Sequence, residues 1–196
     1  MSVGELKAWE ILKTLTPDDV CKRAGVQYDP AIQGYTLHSM GRDFLLTLKD
    51  EQISGDELFL KRLGYFFKLS ALCYLNSAID IPPTERLIKP SDLKGGQLFF
   101  RGSHVLPLDG LATKFATNAD NFRKKGHDLG AERAQFGDAA LRLFPFPKIP
   151  VYLILWMQDE EFPARADLLF DSSSEMQAPL DILWSVAMMT VLAMMM

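Results

Sequence analysis

Three acidic residues in a row, Asp159-Glu160-Glu161, stand between Trp156 and Phe162. Adjacent carboxylates repel one another, so a chain that keeps three together between two large aromatics has a use for them beyond solubility. Oxygen donors in this pattern suit a hard cation such as magnesium or calcium, or divide into an acid and a base where their environments differ. The plainer alternative is a solvated turn ended by Pro163. Asp171 joins the set if the chain doubles back between the two.

A second group, Arg101-Gly102-Ser103-His104, follows the pair Gly95-Gly96. A guanidinium, a hydroxyl and an imidazole together can clamp a carboxylate or phosphate, or supply a general base. GGQLFFRG is no phosphate loop, because it lacks the GxxxxGK[ST] spacing and a lysine after the glycines. An ordinary surface loop is the alternative here. Ser172-Ser173-Ser174 sit in no GxSxG elbow and read as the cap of a following helix. His38 and His127 have no partner at metal-ligand spacing, and Cys21 and Cys73 are far apart with no CxxC, so neither zinc nor an iron-sulfur cluster is encoded. Trp9, Trp156 and Trp184 read as core or interface aromatics. The candidate binding set is therefore Trp156, Asp159, Glu160, Glu161, Phe162, Arg101 and His104, with no metal, cofactor or catalytic residue assigned.

Positioning these residues falls to a mixture of helices and hairpins. Thr16-Pro17-Asp18-Asp19 and Gly25 bracket a short helix over 17–24. Strands at 35–38 and 43–48 flank a turn that contains Gly41, a hairpin spacing. Apolar residues at three- and four-residue intervals, from Leu58 through Leu63, Phe67 and Leu72 to Leu75, predict a long amphipathic helix over 56–78, stopped by Pro82-Pro83. Leu98-Phe99-Phe100 reads as a short strand or a rigid turn. A helix is expected over 108–125, closed by Arg123-Lys124-Lys125, then a polar, mobile insertion over 126–137. Another helix is expected over 138–144, ending at the extended Pro145-Phe146-Pro147. The strand over 151–157 is apolar on both faces and belongs in the middle of a covered sheet. That over 165–170 alternates and has one wetter face, so it pairs antiparallel with the first through the acidic turn. Without a regular βαβ rhythm, the order of elements implies an α+β fold with a mainly antiparallel sheet and helices packed on it. One domain over 1–196 is expected, in two parts, 1–90 and 91–196.

Composition narrows the function classes. Of 196 residues, 48% are apolar and 23% charged, as in ordinary globular proteins, and a net charge of −4 supplies no basic field for nucleic acid or anionic lipid. The acids in the first residues do not suit a signal peptide, which points to a cytoplasmic protein with reduced thiols. The uncharged run over 182–196 falls short of the roughly 18 to 20 residues of a membrane span. It reads as a helix buried in the core or at a homodimer interface, where its methionines fill irregular gaps.

Several of these segments resemble the domain-of-unknown-function family numbered 3786, found in anaerobic bacteria and archaea. The similarity is carried by Lys94-Gly95-Gly96 with Phe100, Gly137-Asp138-Ala139-Ala140, Leu143-Phe144-Pro145, Ile149-Pro150, Leu155-Trp156, Asp159 through Ala164, and Leu169-Phe170-Asp171. Over the first 80 residues it rests on Gly25-Val26-Gln27-Tyr28-Asp29 and Cys73-Tyr74-Leu75. The resemblance implies no reaction. Some similar members carry an added iron-sulfur domain like that of corrinoid-linked carbon monoxide dehydrogenase subunits; this chain has no such cysteine cluster, so a tie to anaerobic redox or one-carbon metabolism is implied by the resemblance alone. The resulting expectation is a non-catalytic binding or accessory module, recognising a protein partner through the hairpin from Trp156 to Phe162. The alternative is a metal-assisted or carboxylate-based, hydrolase-like enzyme using the acidic turn 159–161, chiefly Asp159 and Glu161, with or without His104.

Overall fold

The structure, a computed structural model, describes residues 1–196. The elements run α1 (Val3–Thr14), α2 (Pro17–Ala24), β1 (Gln27–Asp29), β2 (Gly34–Ser39), β3 (Arg42–Thr47), β4 (Gln52–Ser54) and α3 (Glu57–Ser77). There follow β5 (Leu87–Ile88), α4 (Gly96–Phe99), α5 (Leu108–Phe115), α6 (Ala119–Asp128), β6 (Glu132–Ala134), β7 (Ala139–Phe146), β8 (Ile149–Trp156), β9 (Arg165–Asp171), α7 (Ser174–Gln177) and α8 (Leu180–Met195).

Local chemistry sets many of the boundaries. α1, for which no helix was expected, starts at a capping box: Ser2 Oγ accepts from Glu5 N and Glu5 Oε2 from Ser2 N, both at 3.2 Å. In α2, Pro17 opens the first turn and Gly25 closes the helix in the left-handed region at φ 67°. Asp56 caps α3 by accepting from Phe59 N at 2.9 Å. Between β2 and β3, Ser39 faces Arg42 across a two-residue turn in which Met40 and Gly41 both have positive φ, the backbone that matches strand twist.

All strand pairings are antiparallel, in two sheets: β1-β2-β3-β4, and β5-β9-β8-β7-β6 with β8 in the centre as expected. The sheets meet where Met40 N donates to Phe144 O at 2.9 Å. Beside that bond Gly41 and Gly130 touch through their backbones, at φ 72° and 67°; a Cβ on Gly130 would lie 2.9 Å from Gly41 Cα. One hydrophobic core runs through both sheets and the helices. Its aromatic centre joins Phe44, Phe59 and Phe67 to Phe146, on which Tyr74 stacks at 4.8 Å. The chain is a single α+β domain.

α1 lays Ala8, Trp9 and Leu12 against α3, and Asn76 Nδ2 donates to Ala8 O at 2.9 Å. α8 packs along α3 and buries Ile182, Leu183, Val186, Met189, Val191 and Met194 in the core, while Trp184, Met188, Leu192 and Met195 are half-buried. No helix is long and apolar enough to cross a membrane.

Four local expectations need correction. The span 138–144 is not a helix but most of β7, whose register shifts between Leu143 and Phe146, so Pro145 sits at an irregularity where a missing N–H is tolerated. The helix over 108–125 is two helices, α5 and α6, because Asn118 leaves helical geometry and caps α6 by accepting from Asn121 N at 2.9 Å. The insertion over 126–137 carries the end of α6 and strand β6. Leu98-Phe99-Phe100 is neither strand nor simple turn, since Gly96–Phe99 forms one turn of helix.

Candidate functional site

The β8–β9 hairpin ends in a turn held by its own backbone. Asp159 Oδ1 accepts from Glu161 N at 2.9 Å and Phe162 N at 2.7 Å, while Asp159 N donates to Phe162 O at 3.0 Å. The two N–H bonds, Phe162 first, hold the Asp159 carboxyl below its ordinary pKa, so it stays ionised. Glu160 and Glu161 are exposed on the same turn.

Neighbouring elements fix the base of this turn. Gln158 N donates to Ala116 O beyond the end of α5 at 3.2 Å. Asp138, just before β7, accepts from Met157 N through Oδ2 at 2.7 Å, and its own carbonyl accepts from Arg123 Nη2 of α6 at 2.7 Å. Gly137 must precede it without a side chain, since a Cβ there would lie 2.8 Å from Ile154 Cγ2.

A cleft of about 640 Å³ opens beside the hairpin. Its charged wall consists of Asp109 from α5, Asp138, Asp159 and Arg165; its apolar wall includes Trp156, Met157, Phe162 and Pro163. Phe162 is 65% exposed and Trp156 39%. The Trp156 indole is oriented by a bond from Nε1 to Asp167 Oδ2 at 2.9 Å and by the Arg165 guanidinium lying 5.0 Å from its ring centre. Arg165 Nε also lies 3.5 Å from the same Asp167 oxygen, and three aspartates against this one cation leave the cleft with an acidic balance.

Trp156, Asp159 and Phe162 of the candidate set are thus brought together in one cleft. Arg101 and His104 are not among the residues of that cleft. The His104 ring stacks on Phe99 at 4.4 Å and meets Trp184 edge-on at 4.9 Å, and its carbonyl accepts from Trp184 Nε1 at 3.0 Å, which packs this loop onto α8. Arg101 is exposed. Of the residues named for the hydrolase alternative, Asp159 lines the cleft, while Glu161 and His104 do not. No three His, Cys, Asp or Glu side chains are grouped as a metal site would require.

Asp171 lies at the far end of β9 from the turn, because Trp156 faces Arg165 and Val151 faces Phe170. It is 1% exposed, and five donors converge on it. Oδ1 accepts from Thr84 N, Thr84 Oγ1, Ser173 N and Ser173 Oγ at 2.6–3.0 Å, and Oδ2 from Glu85 N at 2.7 Å. Burial pushes its pKa up, but the bonds from Ser173 and Thr84 outweigh that and hold it below the ordinary value. The serines after it do precede a helix, α7, but Ser173 makes no side-chain cap bond and serves Asp171 instead.

Asp109, Asp138 and Arg165 escaped the sequence reading of the site. Asp109 looks there like any acid in the first turn of a helix, and Asp138 sat inside a segment read as helical. The one available signal was Gly137-Asp138 directly ahead of an apolar run.

Comparison with curated proteins and with solved structures returns no match. The family resemblance is extended by the family model, which runs past the C-terminal segments to α2 and leaves out only α1 and the last residues. Matching over residues 16–193, the chain belongs to the family described as a domain of unknown function, DUF3786.

Proposed function

We propose that the protein is a binding or accessory module whose recognition surface is the cleft at the β8–β9 hairpin, and that it takes a positively charged face of a protein partner. The observation that carries this reading is the composition of a rigid wall. Three aspartates, one of them held ionised by backbone donors, stand beside exposed Trp156 and Phe162, and the single arginine is already paired. Fixed carboxylates next to open aromatic faces attract cations, and an aromatic anchor with a polar rim is the usual build of a docking site.

The anaerobic redox or corrinoid system implied by the family resemblance supplies a class of partner, a protein of that system with a basic patch. A reducing compartment such as the cytoplasm belongs to the reading, since Cys21 and Cys73 are both free thiols. Self-association through α8 would use its half-buried side chains Trp184, Met188, Leu192 and Met195, since most of its other apolar side chains are covered inside the chain.

Titration of isotope-labelled protein with lysine-rich and glutamate-rich peptides tests this. The lysine-rich set is expected to move the Trp156 indole signal and the amides from Asp159 to Phe162, and about 0.5 M salt to reverse the effect. If neither set moves these signals, the cleft is not a recognition surface.

A further inference from the structure

Next to the cleft, a smaller groove of about 250 Å³ follows β9, and Asp167, which lines it, accepts the indole bond of Trp156 from the cleft. Its walls are mostly apolar, with Phe100, Val105, Leu106, Leu108 and Leu169 beside the polar Lys89, Ser91 and Asp167, and Val105 is 59% exposed. The groove exists because β9 loses its outer neighbour early. β5 pairs with β9 only at Leu87 to Asp171 and Ile88 to Phe170. Continued in that register, the residue facing Leu168 would be Pro90, which has no N–H to donate and instead starts a tight turn that carries the chain away. No strand therefore pairs with the outer edge of β9 from Arg165 to Leu169.

We infer that an extended, basic segment of a partner protein lies along this edge, with a lysine or arginine in the acidic cleft and an aliphatic side chain in the groove beside Val105. The inference rests on the binding reading above and adds the form of the ligand. Ala164 lines the cleft and Leu168 the groove. Arg165 also lines the cleft and Asp167 the groove, so both openings follow one short stretch of β9, and at about 3.3 Å per strand residue an extended peptide lying along it sets its two anchors about two or four positions apart. Peptides that follow a sheet edge are read in this way, by alternate side chains entering pockets beside it. Charge selects the cation for one end and the apolar walls select the aliphatic group for the other.

Selection from a display library of random peptides about a dozen residues long, against the whole chain, tests the inference. Enriched sequences are expected to place lysine or arginine about two or four positions from leucine, isoleucine or valine. By titration calorimetry, Asp109→Lys and Val105→Glu are each expected to weaken such a peptide at least tenfold, about 1.4 kcal/mol. Both side chains are exposed, so an unchanged melting temperature separates lost binding from lost folding. If Asp109→Lys abolishes binding while Val105→Glu does not, the extended ligand is overturned and the cleft reading survives; if neither matters, both fall. Enrichment of sequences without the paired anchors overturns the inference. So does a concentration-dependent dimer that Val105→Glu converts to monomer, because the groove then belongs to a second copy.

Discussion

The indole of Trp156 donates to the carboxylate of Asp167 at 2.9 Å, although the two residues stand on different strands and are not directly opposed. A diagonal bond of this kind sets the plane of an exposed aromatic that would otherwise rotate freely. Asp167→Ala is expected to leave the fold intact, at a cost of about 1 kcal/mol or less for a solvent-facing bond. The hydrogen exchange of the indole N–H of Trp156 is expected to rise. Unchanged exchange would mean the ring is held by Arg165 alone.

Asp171→Asn is expected to be among the costlier single changes. An amide offers one acceptor where two oxygens now take five bonds, and its NH₂ would face the Glu85 or Thr84 donors. Loss of about 2–3 kcal/mol follows, read as a lower urea midpoint at unchanged slope.

The same group sets an acid limb. Its pKa is lower folded than unfolded, so its contribution is complete above the ordinary carboxylate range and is lost as pH falls through the folded value. Asp56, lowered by the Phe59 N–H and by Arg42, acts in the same sense. Urea midpoints of the native protein should fall as pH drops below about 4, and Asp171→Asn should flatten that fall.

Two glycines should respond in opposite directions. Gly130→Ala places a methyl against Gly41 at a left-handed position and is expected to cost more than about 1 kcal/mol. Gly64→Ala, inside α3, meets only Lys68 Cε at 3.5 Å and is expected to gain about 0.5–1 kcal/mol. Thermal melts of the two variants check the pair.

Burial pushes the Cys73 thiol up to about 11. At about pH 8 it holds almost no thiolate, so iodoacetamide is expected to label Cys73 only after unfolding, as peptide mapping of native and urea-treated protein would show.

Periodicity was enough for α3, for the β2–β3 hairpin and for β8 with β9, because each is specified by its own local pattern. β7 was not readable in the same way. Ala139, Ala140, Leu141 and Arg142 are good helix formers, and only pairing with β6 on one side and with β8, reached across the two residues after Phe146, on the other turns them into a strand. Tertiary pairing overrides propensity there. The hairpin half of the cleft could be read from Trp156, Asp159 and Phe162 because these are neighbours in the chain. Its other half, Asp109 and Asp138, comes from distant segments joined only by packing, and no spacing announces it. The separation of His104 from the turn likewise depends on its stacking with Phe99 and Trp184, which involves a helix far along the chain.

α1 lies ahead of the stretch shared with relatives, yet Trp9 and Leu12 are sealed against α3. A fragment cut to the shared boundary would bare a greasy seat on the surface of α3 and leave Asn76 without its acceptor. Recombinant pieces designed from kinship alone would then be sticky and short-lived, so the smallest piece fit for handling is larger than the inherited one.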